Sequence, residues 1–262
     1  MFAKYLPIAR SLMALTAIIA ISGCGGGDIT RDIRIRTFNA YVAAPGSSAS
    51  LNFVSGTTSL TGGAVVAFGE MGNGGRYSTF FNDTFTPAAT GPGTTSPIVF
   101  QLPFTLSGNS TAYMIAAIGQ SGQSGTRLPQ LIAIRNYTPD QIALTAGNVA
   151  IRVINLSLNP NPIGLFTTTS GTPTALASGV GSVTYGYDVS LNAYISLAAD
   201  QVTNLALVDT TATSAPLVLS SGSNLNSLVL FAGQAYTLYI YGQPGNAAQP
   251  LGATWVLDYP AL

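Results

Sequence analysis

Two stretches show the patterning of the chain most clearly. From Ala112 to Ile118, and again from Ala235 to Tyr241, β-branched, aromatic and small apolar residues run without a polar break longer than one position and stop at Gly119 and Gly242. Runs of this length bounded by turn residues predict strands. Stretches 33–38, 64–68, 131–136, 149–154, 192–197, 203–208 and 253–258 read the same way. Clusters such as Gly72-Asn73-Gly74-Gly75 and Pro160-Asn161-Pro162 separate them as turns. Beyond the first two dozen residues no stripe of helical period exceeds two turns. Short strands at this spacing predict a sandwich or barrel, with longer Gly/Ser/Thr/Pro loops at 84–97 and 167–182.

The pattern occurs twice. Ile35-Arg36-Thr37-Phe38-Asn39 returns as Ile151-Arg152-Val153-Ile154-Asn155, 116 residues later. Val66-Ala67-Phe68-Gly69 returns as Val183-Thr184-Tyr185-Gly186, 117 later, and Tyr77 falls on Tyr194 at the same offset. Ala112-Tyr113 and Gly119-Gln120 return as Ala235-Tyr236 and Gly242-Gln243, 123 later, and Tyr137 falls on Tyr259, 122 later. A period this long duplicates a domain rather than a solenoid repeat. The expected fold is all-β: two tandem antiparallel, immunoglobulin-like β-sandwich domains at 32–137 and 148–262, with 138–147 as linker. Each copy carries a full set of strand signals, so each is expected to fold by itself.

The first 24 residues have a different pattern. Lys4 and Arg10 flank an apolar run from Leu12 to Ile21, ten residues long, followed by Ile21-Ser22-Gly23-Cys24. A spanning helix needs about 20 apolar residues, so this run reads as an export signal over 1–23. Its ending resembles the bacterial lipobox, in which the cysteine is lipidated and becomes the first residue. Cys24 with the glycines behind it, 24–31, then forms a lipidated, flexible tether. Resemblance to double-membrane lipoproteins, with Gly25 rather than Asp after the cysteine, implies outer-membrane sorting.

Composition narrows the chemistry. Only 7% of the 262 residues are charged, against 47% hydrophobic. Without Lys4 and Arg10, seven arginines face nine acids, a net charge of −2, and neither lysine nor histidine remains. Nucleic acid is excluded as a partner, because phosphate binding needs clustered cations. A triad needs an imidazole and zinc needs Cys or His ligands, while the only cysteine, Cys24, is assigned to lipid. No catalytic residue, metal ligand or cofactor site is expected. Asn82-Asp83 carries no calcium-loop spacing. Gly119, Gly122 and Gly125 follow a strand without leading into a helix, which marks a hairpin loop rather than a phosphate cradle. Asp188, Asp200, Asp209 and Asp258 are dispersed, leaving a glycoside-acting enzyme as a remote alternative.

Two surfaces invite a binding reading. In 235–241 alternation puts Tyr236, Leu238 and Ile240 on one face and Thr237, Tyr239 and Tyr241 on the other. The first face matches Tyr113, Ile115 and Ala117 of the earlier copy and is assigned to the core. Tyr239 and Tyr241 are the candidate surface for stacking on sugar or a protein partner, with packing against the other domain or a loop as the competing reading. Arg34 and Arg36, alternating with Ile33 and Ile35, are expected to form a solvated or acid-paired outer row near the tether, with an anionic-lipid contact as the alternative.

Arg152-Val153-Ile154-Asn155, Ser157, Pro162-Ile163, Leu165-Phe166, Tyr185-Gly186 and Ala232-Gly233-Gln234-Ala235-Tyr236-Thr237 together resemble the domain-of-unknown-function family numbered 4397. The earlier copy keeps Arg36, Asn39-Ala40, Phe68-Gly69 and Ala112-Tyr113 but lacks the Ala-Gly before its tyrosine. In the later copy Leu158-Asn159 and Gly164 depart from the family pattern. The resemblance implies a secreted or surface β-sandwich, often duplicated and lipid-anchored, and implies no activity. The expected function is therefore a non-enzymatic, lipid-anchored envelope protein serving as an adhesion, matrix or assembly module. Its expected partners are a membrane, through its lipid, and an envelope protein or glycan. A glycan- or small-ligand-binding lipoprotein is the alternative.

Overall fold

In the computed structural model, residues 33–258 are described, apart from 48, 81–85, 95–96, 100–110, 138, 143, 170–171, 189–191, 212–214 and 227. Residues 1–32, with the expected signal and tether and Cys24 among them, Asn82-Asp83 and Tyr259 lie outside the described residues. The span from Asp32 to Leu262 forms one compact unit.

The earlier copy contributes β1 (Ile33–Asn39), β2 (Asn52–Ser55), β3 (Thr58–Ser59), β4 (Ser78–Phe80), β5 (Pro87–Thr90), β6 (Pro97–Val99), β7 (Thr111–Ile118) and β8 (Gln130–Asn136). The later copy contributes β9 (Asn148–Asn155), β10 (Ile163–Thr169), β11 (Thr172–Ala175), β12 (Ile195–Ala198), β13 (Leu205–Asp209), β14 (Ala235–Tyr241) and β15 (Gly252–Leu257). A four-residue helical turn, Pro139–Ile142, lies between them. Each copy builds two sheets with matching strand order: β4-β1-β7-β8 over β3-β2-β5-β6, and β12-β9-β14-β15 over β11-β10-β13. The protein is an all-β, sandwich-like fold built twice.

Three expectations need correction. The sheets are not purely antiparallel, since β1 runs parallel to β7 and β9 parallel to β14. A parallel neighbour needs a long crossover, and here the chain passes through the second sheet of the same copy between the two strands. Stretch 64–68 supplies no named strand, only the bridge of Val66 to Leu51. The loop expected at 167–182 is instead largely the β10–β11 hairpin, paired from Phe166↔Ala175 to Thr169↔Thr172. Its Thr-rich sequence suits a strand.

Alternation along the central strands gives each main sheet two buried faces. Ile33, Ile35, Ile115 and Ala117 point into the earlier copy's own core with Leu51, Phe53 and Leu131. Ile151, Val153, Tyr236, Leu238 and Ile240 point into the later copy's core with Leu165, Leu207 and Trp255. The opposite faces of the same strands join in a third cluster, where Phe38, Met114, Ala116 and Ile134 meet Ile154, Tyr239, Tyr241 and Val256. A strand covered on both faces reads as a continuous apolar run, which accounts for the unbroken stretches at 112–118 and 235–241. The two halves are therefore packed sheet against sheet.

Candidate functional site at the joint between the halves

The polar side chains with the most unusual environment all converge on this joint. Arg36 and Arg152 are 3% and 1% exposed, and Asp258 is fully buried. Both arginines sit at the same place in their copies, on the middle strands β1 and β9, pointing across to the other half. Arg152 Nε donates to the Thr237 hydroxyl at 2.6 Å, Nη1 to the Arg135 carbonyl at 2.8 Å, and Nη2 to Asn136 Oδ1 at 2.6 Å. Arg36 Nη1 donates to the Leu257 carbonyl at 2.6 Å. Arg135 and Leu257 are counterparts, so the two guanidiniums make the same backbone bond across a pseudo-twofold axis.

Tyrosines complete each arginine site. The Arg36 guanidinium lies 3.9 Å from the centre of the Tyr77 ring, and that of Arg152 lies 4.5 Å from Tyr194. Stacking of desolvated cations on aromatic faces is worth up to about 2 kcal/mol. The Asn136 amide donates to the Tyr77 hydroxyl at 2.9 Å, and the Tyr77 hydroxyl donates to the Asp258 carbonyl. Tyr194 donates to Asp258 Oδ2 at 2.6 Å. The Thr237 hydroxyl lies 2.8 Å from Asp258 Oδ1 and 2.7 Å from Oδ2. Asn136 and Asp258 are counterparts, 122 residues apart. Thus one half supplies the neutral amide and the other the carboxylate.

The electrostatics follow from this enclosure. Burial pushes the Asp258 carboxyl up from its ordinary value, opposed by Arg152 and by the Tyr194 and Thr237 hydroxyls. Burial alone would lower Arg152, but Asp258 and the surrounding tyrosines outweigh it and hold the side chain more firmly protonated. Its Nη2 stands 3.9 Å from Asp258 Oδ1. Burial also raises the phenols, Tyr77 to about 12, against the pull of Arg36 and the Asn136 bond. Tyr194 and Tyr239 shift upward for the same first reason. A buried carboxylate held by hydroxyls and two buried, stacked guanidiniums make a joint that holds two sheets in register.

The sequence-derived candidates take new places here. Tyr239 is fully buried and Tyr241 only 6% exposed. Neither forms a surface for sugar or partner. Phe38 lies 5.3 Å from Tyr239 and 5.4 Å from Tyr241, ring centre to ring centre. Packing against the other half is the reading the structure supports, because only the facing sheet can cover so apolar a strand face. Arg36 likewise forms no outer row: the β9 half lies over it, and its guanidinium meets the Leu257 carbonyl and the Tyr77 ring. Arg34 is half-buried. Tyr236 lies in its core as expected, its hydroxyl accepting from the Phe231 N–H at 3.3 Å. Tyr113 packs half-buried at the edge of the other core.

Sequence reasoning missed the buried network, although its signal was present. Arg36/Arg152 and Tyr77/Tyr194 keep their residue type across the duplication in a chain with few charges. A polar pair retained within an apolar strand in both copies marks a shared internal contact. The hairpin reading of 119–125 agrees with the β7–β8 turn. Here Gly119 has φ +90°, and a Cβ on it would stand 2.2 Å from the Leu128 carbonyl oxygen; its counterpart Gly242 meets Pro250 at 2.1 Å.

Away from the joint, Asp209 accepts from the Asn159 and Asn161 amides at 3.0 Å each, and from the Thr211 N–H at 3.0 Å and hydroxyl at 3.1 Å. Burial works to raise this carboxyl, but the donors outweigh it and hold it below the usual carboxylate range. Among the described residues, no group of three or more His, Cys, Asp or Glu could hold a metal ion. No helix among them is long and apolar enough to cross a membrane. Comparison with protein families and with curated proteins finds no match for the chain.

Proposed function

We propose that this chain is a non-enzymatic, lipid-anchored envelope protein, as its resemblance to family 4397 implies, held at the membrane by Cys24. On this reading the duplicated sandwich is a rigid adhesion, matrix or assembly module, sorted to the outer membrane. The observation that carries it is the direction in which the ionisable groups face. Arg36, Arg152 and Asp258 turn inward to join the halves, while Val218, Val229 and Phe231 stand 64–90% exposed on the later half. Large apolar side chains left on a weakly charged surface suit contact with another macromolecule better than chemistry on a small substrate. The Ile21-Ser22-Gly23-Cys24 motif ahead of β1 supplies the anchor.

Cross-linking in intact envelopes tests this function. Wild type is expected to give discrete adducts with an envelope component, and Val229→Ser/Phe231→Ser is expected to lose them while melting normally. Identical adducts from both would contradict the reading.

A further inference from the structure

The pseudo-twofold joint gives each residue of the seam a counterpart, and at its two ends the counterparts enclose different volumes. At one end the Tyr241 ring lies over two glycines. A Cβ on Gly69 would meet that ring at 2.5 Å and one on Gly252 at 2.6 Å. Phe68 closes the stack edge-on, with ring centres 5.5 Å apart. At the other end, the places of Tyr241, Gly69, Gly252 and Phe68 are taken by Ile118, Gly186, Gln130 and Tyr185, at the duplication offsets of 123, 117, 122 and 117. Gly186 keeps a positive φ of 102°, yet a Cβ there would meet nothing within 4 Å. The space that one half fills with its own ring is open in the other.

A cleft of about 630 Å³ occupies that space, with Ile118, Gln130, Tyr185, Tyr187 and Asp188 in its lining. This volume lies within the range of small-molecule sites. We propose that the cleft is a subsite for a neutral saccharide, one pyranose ring standing where the Tyr241 ring stands in the other half. The chemistry of the walls selects this class. Tyrosine rings offer a face to the C–H side of a sugar. Gln130, in place of a glycine, brings an amide able to donate and accept, and Asp188 brings a carboxylate for hydroxyl donors. Thr126 and Thr184 add hydroxyls to the lining, and the Asp188 carboxylate disfavours an anionic sugar. The site differs from the Tyr239/Tyr241 face, which is closed, and does not depend on the lipid anchor.

Saturation-transfer NMR on the full chain tests the proposal, with cellobiose, maltose and diacetylchitobiose as neutral probes and p-cresol as the aromatic probe. At least one disaccharide is expected to bind saturably, with Kd on the order of 1 mM. Asp188→Ala is expected to weaken it about tenfold by removing a charged acceptor. Ile118→Tyr/Gln130→Gly, which rebuilds the filled end of the seam, is expected to abolish binding without lowering Tm. Should that variant not fold, Tyr185→Leu takes its place, with the same loss of binding expected. Saturable binding of p-cresol without any disaccharide would overturn the proposal in favour of an aromatic side-chain socket. Absence of disaccharide binding, or unchanged affinity in the folded variants, would overturn it as well.

Discussion

Removing the Asp258 carboxylate perturbs the joint at its most enclosed point. Asp258→Ala leaves the Thr237 and Tyr194 hydroxyls without their acceptor and leaves the fully covered Arg152 without its counter-charge. Breaking a buried ion pair by deleting one partner costs roughly 3–5 kcal/mol, because the remaining charge cannot reach water. For a protein of this size each kcal/mol lowers Tm by about 2–4 °C, so a fall of roughly 6–20 °C is expected. Arg152→Met removes the other partner together with its bonds to Arg135 and Asn136, and should fall by a similar amount. Arg152→Met/Asp258→Leu replaces the pair by apolar groups of similar bulk and should cost much less than the sum of the singles. Thermal melts of the full chain, followed by circular dichroism, measure the four species. Singles that each cost under about 1 kcal/mol, or that add without coupling, would refute a network that holds the halves together.

Tyr239 carries a fully buried hydroxyl without a hydrogen-bond partner, so Tyr239→Phe should keep or raise Tm, by up to about 1–3 kcal/mol of stability; a marked fall would mean that the hydroxyl has a partner. Tyr77 and Tyr185 are raised to about 12, mainly by burial, whereas the unfolded phenol ionises near 10. The native state therefore binds more protons between these values, and Tm should fall as pH climbs from about 10 towards 12; a Tm that holds steady over this range would contradict it. The sign is opposite for Asp209, whose native carboxyl is held low. Its contribution is fully present above about pH 4 and is lost progressively as pH falls below that towards the lowered native value. Asp209→Asn should therefore lose less Tm than wild type between about pH 6 and pH 3, and parallel curves would contradict this.

The duplication was legible because a shared fold keeps turn glycines and core residues at fixed offsets. Gly69/Gly186 and Gly119/Gly242 keep positive φ in both copies, and Asn39 and Asn155 donate to Val66 and Val183, counterparts again, at 2.9 and 3.1 Å. The central strands were equally legible, since long apolar runs admit few alternatives. The outer sheets were less so. Asn52–Ser55 and Pro87–Thr90 are short and mixed, and their pairing rather than their composition makes them strands. The faces of β14 were separated correctly, but alternation cannot distinguish water from a second sheet over the Tyr239 side. That is why Arg36 read as solvated or acid-paired, and why Tyr239 and Tyr241 kept a surface reading beside packing against the other half. Each half has its own core, but the third cluster leaves neither half a soluble face at the joint.

The most direct test of the anchored-module account is metabolic labelling of cells with a clickable fatty acid, followed by recovery of the full chain. The account predicts that wild type carries the label in the membrane fraction and that Cys24→Ala carries none and is released. Equal labelling of the two, or an unlabelled wild type, would contradict it.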